Sequence, residues 1–108
     1  MATKVTDFFY QVSPTESLTF TISGPADPKV FLDNTTITAT KEAPFTITPQ
    51  MLNGMGASHS LNCILLFPAG PGQYFFNVDD QNGNIDQFTV NGPNQGSFTK
   101  AEITIEVA

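Results

Sequence analysis

Asp80, Asn82, Asn84 and Asp86 set an oxygen-bearing side chain at every second position of the stretch VDDQNGNID. Carboxylates and amide carbonyls are hard donors, and Ca²⁺ takes about six to eight such oxygens. With Asp79 added, these residues form a candidate cation loop. Their spacing departs from the EF-hand, which wants Gly at its sixth position and a bidentate Glu at its twelfth. Counted from Asp80, Gly83 is fourth and Asn91 twelfth. The competing reading is structural: Asp, Asn and Gly gather at hairpin tips because they suit turns.

The hairpin reading makes a register prediction. Asn-Gly favours a turn centre because both residues tolerate positive φ. A two-residue turn at Asn82 and Gly83 would oppose Asp79 to Asp86 and Phe76 to Thr89, joining like charges and breaking the apolar face. A three-residue loop, 82–84, pairs Val78 with Phe88 and Phe76 with Val90. That register buries a continuous apolar face and is the one expected. It also sets Asp80 opposite Asp86, where a cation between the carboxylates would relieve their repulsion.

Other constellations are poorer. His59 and Cys63 lie four apart, so on a strand they share a face, and Met51 or Met55 could be a third ligand. Blue copper needs two His beside the Cys, and this chain has one His. One Cys and one His also fall short of a structural zinc set. In Ser58-His59-Ser60 adjacent strand residues point to opposite faces, so the triplet is no triad. The acids Glu16, Asp27, Asp33, Glu42, Glu102 and Glu106 are scattered without a marked glycosidase pair. No G-x-S-x-G, G-x-x-x-x-G-K-[ST] or G-x-G-x-x-G occurs. Asn34-Thr35-Thr36 fits the N-glycosylation pattern but reads as a turn. Cys63, inside LNCILLF, is expected as a buried inert thiol.

The aromatic set is ten Phe and two Tyr with no Trp, first of all a core signature. Sugar binders stack their ligand on exposed rings, and Tyr10 and Tyr74 are the exposed-ring candidates for a ligand site. Phe8, Phe9 and Tyr10 are consecutive, so at least one ring faces away from its neighbours and packs elsewhere or forms an apolar patch.

These residues must be positioned by a small acidic scaffold. At 108 residues the chain is expected to be one domain, 1–108. Charged residues are 13%, about half the usual ~25%, so Thr, Asn, Gln and Ser must keep the surface wet. Arg is absent, Lys4, Lys29, Lys41 and Lys100 are the only basic residues, and the net charge is −6. Nucleic acid and an anionic membrane surface are therefore not expected as partners. The N-terminal MATKVTDFFYQV carries no apolar h-region. A soluble chain without a signal peptide is expected, cytoplasmic or non-classically exported.

Apolar residues recur with period two, not 3.6. Leu18, Phe20 and Ile22 alternate with Thr19, Thr21 and Ser23, and Ile103, Ile105 and Val107 with Glu102, Thr104 and Glu106. The run from Cys63 to Phe67 is apolar on both phases, as in a central strand covered on both faces. Turn-rich segments punctuate the chain regularly. The expectation is all-β: a single antiparallel β-sandwich, immunoglobulin-like or jelly-roll-like, with seven to nine short strands and little or no helix. Residues 49–58 are the longest irregular stretch and can hold one helical turn.

The stretch GPGQYFFNVDDQNGNIDQFTV, 70–90, resembles the penultimate hairpin of bacterial immunoglobulin-like domains. Pro71, Gly72, Tyr74, Val78, Asp80, Gly83 and Asn84 stand where that hairpin has its Pro/Gly turn, Tyr, Val-x-Asp strand end and Gly-Asn turn. The pattern departs after Val90, where NGPNQGSFTK precedes a further strand. The resemblance implies a sandwich and no particular activity.

Three functional readings follow. The first is a non-catalytic binding or assembly module that recognises a protein or carbohydrate through loops or edge strands, with a homo-oligomer through edge strands such as 3–12 and 101–107. The second is a Ca²⁺-dependent lectin or Ca²⁺-stabilised sandwich using Asp79, Asp80, Asn82, Asn84 and Asp86; no other cofactor is expected. The third is an enzyme of unrecognised type, marked by His59 converging with an acid and a Ser in a cleft.

Overall fold

The computed structural model describes residues 2–53, 56–68, 72–92 and 97–108. Its elements are β1 (Thr3–Thr6), β2 (Phe9–Val12), β3 (Leu18–Ser23), β4 (Lys29–Leu32), β5 (Thr35–Ile37) and β6 (Phe45–Ile47). A single helical turn, α1 (Pro49–Leu52), precedes β7 (Ser58–Phe67), β8 (Gln73–Asp80), β9 (Gly83–Asn91) and β10 (Ser97–Val107). Pro49 opens the helical turn, and Asn53, at φ 51°, closes it, as residues 49–58 predict.

Two sheets form. One has six strands in the order β1-β2-β10-β7-β4-β5, and the other has four in the order β6-β3-β8-β9. The expected alternation places the core between them. Tyr10 and Val12, Leu61 to Phe67 on odd positions, and Ile103 to Val107 face inward from the six-stranded sheet. Leu18, Phe20, Ile22, Tyr74, Phe76 and Val78 meet them from the other. The two sheets and a nearly helix-free chain match the expected all-β class.

Four details differ from expectation. The strand over 101–107, expected at an edge and open to another chain, is β10, paired on both sides by β2 and β7. The described residues form ten strands, because the N-terminal segment read as one strand, 3–12, folds into the β1–β2 hairpin around Asp7 and Phe8, and because β5 is a separate three-residue edge. The sheets are not wholly antiparallel, since β2 runs parallel to β10, with Tyr10 opposite Ile105. Finally, β7 is covered on one face only. Cys63, Leu65 and Phe67 are buried, whereas Ile64 is half-buried and Leu66 exposed.

Tyr74, near the start of β8, packs against the end of β7 in the other sheet. Its ring meets Phe67 edge-on at 5.2 Å, and its hydroxyl donates to Leu66 O at 2.6 Å, with Ala26 O at 3.3 Å. A Cβ on Gly24 would stand 2.2 Å from the Tyr74 ring, so the close approach of β3's end to that ring requires glycine.

Candidate functional site

The β8–β9 hairpin takes neither register weighed above. Asp80 Oδ1 accepts the Asn82 N–H at 2.7 Å, an Asx turn that makes Gln81 and Asn82 the centre. Gly83, at φ 133°, supplies the positive φ where the chain rejoins the ladder. Asp80 pairs with Gly83 and Asp79 with Asn84. One residue of β9 is then bulged out, and pairing resumes as Val78 with Asp86, Phe76 with Phe88 and Tyr74 with Val90. The bulge shifts the ladder by one residue, so Asp80 does not oppose Asp86, and Asp86 turns to the inward phase alongside Phe88 and Val90.

Each carboxylate of the candidate cation loop has a donor from within the chain. Asp80 Oδ2 accepts the Ala2 N–H at 3.2 Å. Asn84 Nδ2 lies 2.9 to 3.2 Å from Asn77 Oδ1, Asp79 Oδ1, Val78 O and Asp86 O, tying the Asp79 side chain to the hairpin backbone. Asn82 is exposed. Among the described residues, no group of three or more His, Cys, Asp or Glu side chains is placed to hold a metal ion.

The Asp86 side chain is only 9% exposed. Its Oδ2 accepts the Tyr10 hydroxyl at 2.6 Å, and its Oδ1 accepts the Lys4 ammonium at 3.3 Å and the Gln87 N–H at 2.9 Å. Lys4 also meets Asp7 Oδ1 at 3.2 Å. Lys4 thus supplies the positive charge that the sequence reading sought from a metal. Burial, followed by the hydrogen bond to Asp86, pushes the Tyr10 phenol well above its ordinary value, while Asp7 first and then Asp86 hold the Lys4 ammonium charged. Phe8, at φ 62°, strains the backbone to set its ring edge-on to Phe88 at 4.9 Å. Lys4, Asp7, Phe8, Asp86, Phe88 and Thr89 line a cleft of about 180 Å³.

Tyr10 and Tyr74, expected as exposed rings, are both fully buried. The alternation Tyr10–Val12 on β2 and Tyr74–Phe76–Val78 on β8 puts them on the core phase. Neither can stack a ligand. Among the described residues the exposed rings are Phe8, in the β1–β2 turn, and Phe75, 42% exposed, and Phe98, 61% exposed, one on the outer face of each sheet.

His59 does share the inward phase with Cys63, and it does meet an acid. Its Nδ1 lies 2.7 Å from Asp33 Oδ2 and its Nε2 2.5 Å from Leu52 O. Both ring nitrogens of His59 are thus engaged within the chain. Its Nε2 therefore faces the carbonyl of α1 rather than a serine hydroxyl, and the pair ties the β4–β5 turn to α1. Asp33 also accepts the Ser60 N–H at 3.1 Å; its carboxyl is held below the usual range by His59 first and Ser60 next. Burial pushes the Cys63 thiol up to about 12, as expected for an inert core cysteine. Of the proposed copper set, Met55 lies outside the described residues, as do Gly70 and Pro71 of the family-like stretch.

The outer face of the four-stranded sheet escaped the sequence reading. The pairing aligns Ser23, Phe75 and Thr89 in one cross-strand row, then Thr21, Asn77 and Gln87, then Thr46, Thr19, Asp79 and Asn84. Thr19 and Thr46 hydroxyls sit 3.1 Å apart. Asp79 is the only charged residue in these three rows. The signal was the polar phase of each strand, legible only once the strand order brings the phases together. A second, open groove of about 360 Å³ follows β4 and β5, with Lys29, Phe31, Thr36 and Thr38 on its walls.

No helix among the described residues is long and apolar enough to cross a membrane. Comparison with protein-family models, with curated proteins and with solved structures found no match to this chain.

Proposed function

We propose that the chain is a non-catalytic binding module that takes carbohydrate on the outer face of its four-stranded sheet. The observation that carries this reading is Phe75, an exposed ring set in rows of Ser, Thr, Asn and Gln. The ring offers an apolar platform for the C–H face of a sugar. The surrounding hydroxyls and amides both donate and accept, as sugar hydroxyls do, without the desolvation cost of charge. Strands stand about 4.8 Å apart, so the four-stranded face is on the order of 15 Å across and suits an extended chain better than a single sugar in a pocket.

The tie of both His59 nitrogens supports the non-catalytic part of the reading. For the fold, Tyr74 favours an immunoglobulin-like sandwich over a jelly roll. It stands near the start of a strand whose predecessor lies in the other sheet, and its hydroxyl reaches back to a backbone carbonyl, as in the tyrosine corner of such sandwiches. Affinity electrophoresis against a panel of soluble neutral polysaccharides tests the function. Retardation by at least one of them, lost in Phe75→Ala, is expected; equal mobility of both proteins on every gel counts against the reading.

A further inference from the structure

The outer face of the six-stranded sheet raises a separate question, independent of the sugar-binding reading. In LNCILLF the core takes Leu61, Cys63, Leu65 and Phe67, yet the opposite phase of β7 is also apolar beyond Asn62. Ile64 and Leu66 project outward, and among the described residues no further layer lies over them. Leu66 is paired with Phe98, the most exposed large apolar residue described. Phe31, on β4, is half-buried on the same face. A strand apolar on both phases is the pattern of a sheet covered on both sides, and here one cover is missing.

Charge says what fits there. Lys29 and Lys100 both pair with Ile64, so two of the chain's four lysines flank one apolar residue in a single row. Both are exposed, and among the described residues neither makes an ion pair. The adjacent row is Phe31, Asn62 and Glu102. Lys100 and Glu102 therefore stand side by side on the outward phase of β10, about 7 Å apart. A twofold axis lying across the strands between these rows sets Lys100 of each copy opposite Glu102 of the other. That is the reciprocal pairing an isologous contact requires.

Size sets the strength of the contact. The six strands, four of them only three or four residues long, give at about 3.3 Å per residue and about 4.8 Å spacing a face on the order of 600 Å². That is below the about 800 Å² per partner of a standard interface and in the range of weaker, reversible contacts. From these observations we infer that a second copy of this chain covers the outer face of the six-stranded sheet with reciprocal Lys100–Glu102 pairs, the same axis laying Leu66 and Phe98 of each copy over Ser60 and Thr104 of the other.

Sedimentation equilibrium over a concentration series tests the inference, with circular dichroism melts to verify that each variant is folded. The wild-type chain is expected to be a dimer, Lys100→Glu to weaken dimerisation at least about tenfold, and the double swap Lys100→Glu with Glu102→Lys to restore it. Leu66→Ser, an exposed position, is expected to weaken it as well. A wild-type monomer at every concentration overturns the inference. So does a dimer indifferent to Lys100→Glu and Leu66→Ser, which would place the contact at an edge strand. A monomer whose Ile64 and Lys100 resonances move with an added polyglutamate peptide would make the occupant an acidic partner and overturn it too.

Discussion

The hydroxyl of Tyr10 donates to Asp86 Oδ2 at 2.6 Å across the two sheets of the sandwich, between residues 76 positions apart. β2 belongs to the six-stranded sheet and β9 to the four-stranded one, so this bond, with Lys4 beside it, closes one side of the molecule. Removing the acceptor leaves a buried hydroxyl without a partner, which costs about 1–3 kcal/mol. Asp86→Ala is accordingly expected to lower Tm by more than Tyr10→Phe, whose loss is about 1 kcal/mol, or roughly 4–8 °C in a domain of this size. Thermal melts of both single variants and the double variant measure the coupling; additive losses would contradict the pairing.

The same burial has an alkaline consequence. Tyr10 and Tyr74 are the chain's only tyrosines, and burial raises both phenols above the ordinary value of 10.0. A phenol whose folded pKa lies above its unfolded value favours the native state while protonated. That preference is full below the unfolded value and declines as pH rises through the unfolded and toward the folded value. Phenolate absorbance in a pH titration is expected to appear together with loss of the circular dichroism signal. Ionisation of either tyrosine in a chain that stays folded near pH 10 would contradict it.

Calcium is expected to leave stability unchanged. Asp80 is bonded by Ala2 N, Asp86 by Tyr10 and Lys4, and Asp79 by Asn84, so binding an ion would first break these contacts. An occupied site at 100 times its Kd would add about 2.7 kcal/mol. Melts with EDTA and with millimolar CaCl₂ should superimpose, and a Ca²⁺-selective rise of roughly 10 °C or more would restore the cation-loop reading.

Gly24→Ala is expected to destabilise the fold by about 1–3 kcal/mol, because the added Cβ meets the Tyr74 ring at 2.2 Å. Tyr74→Phe keeps that ring but removes the hydrogen bond to Leu66 O, costing about 1 kcal/mol. Urea titration separates the effects when Tyr74→Ala, which removes the ring, is added to the set: Gly24→Ala combined with Tyr74→Ala should lose less than those two single changes added together.

The fold class was legible because side-chain alternation writes each buried strand face directly into the sequence. Leu18, Phe20 and Ile22, or Ile103, Ile105 and Val107, have no other reading. The hairpin register was not, because the choice between Asn82-Gly83 and Gln81-Asn82 as turn centre rests on the Asp80 side chain capping Asn82, a bond that sequence spacing does not reveal. One bulged residue then moved Asp86 from the tip to the inward phase. Tyr10 and Tyr74 were misjudged as exposed because a tyrosine hydroxyl needs a partner when buried, and their partners, Asp86 and Leu66 O, come from distant or turned chain. The Phe75 face is assembled from four strands whose order no local pattern encodes.

The most direct test of the sugar-binding account follows backbone amide resonances of the isotopically labelled chain as a neutral polysaccharide is added. The account predicts shifts confined to Thr21, Ser23, Phe75, Asn77, Gln87 and Thr89, with Phe75→Ala weakening binding about tenfold, or ~1.4 kcal/mol. Shifts centred instead on the Lys4–Asp86 cleft or the hairpin tip, or none with any polysaccharide tried, would contradict it.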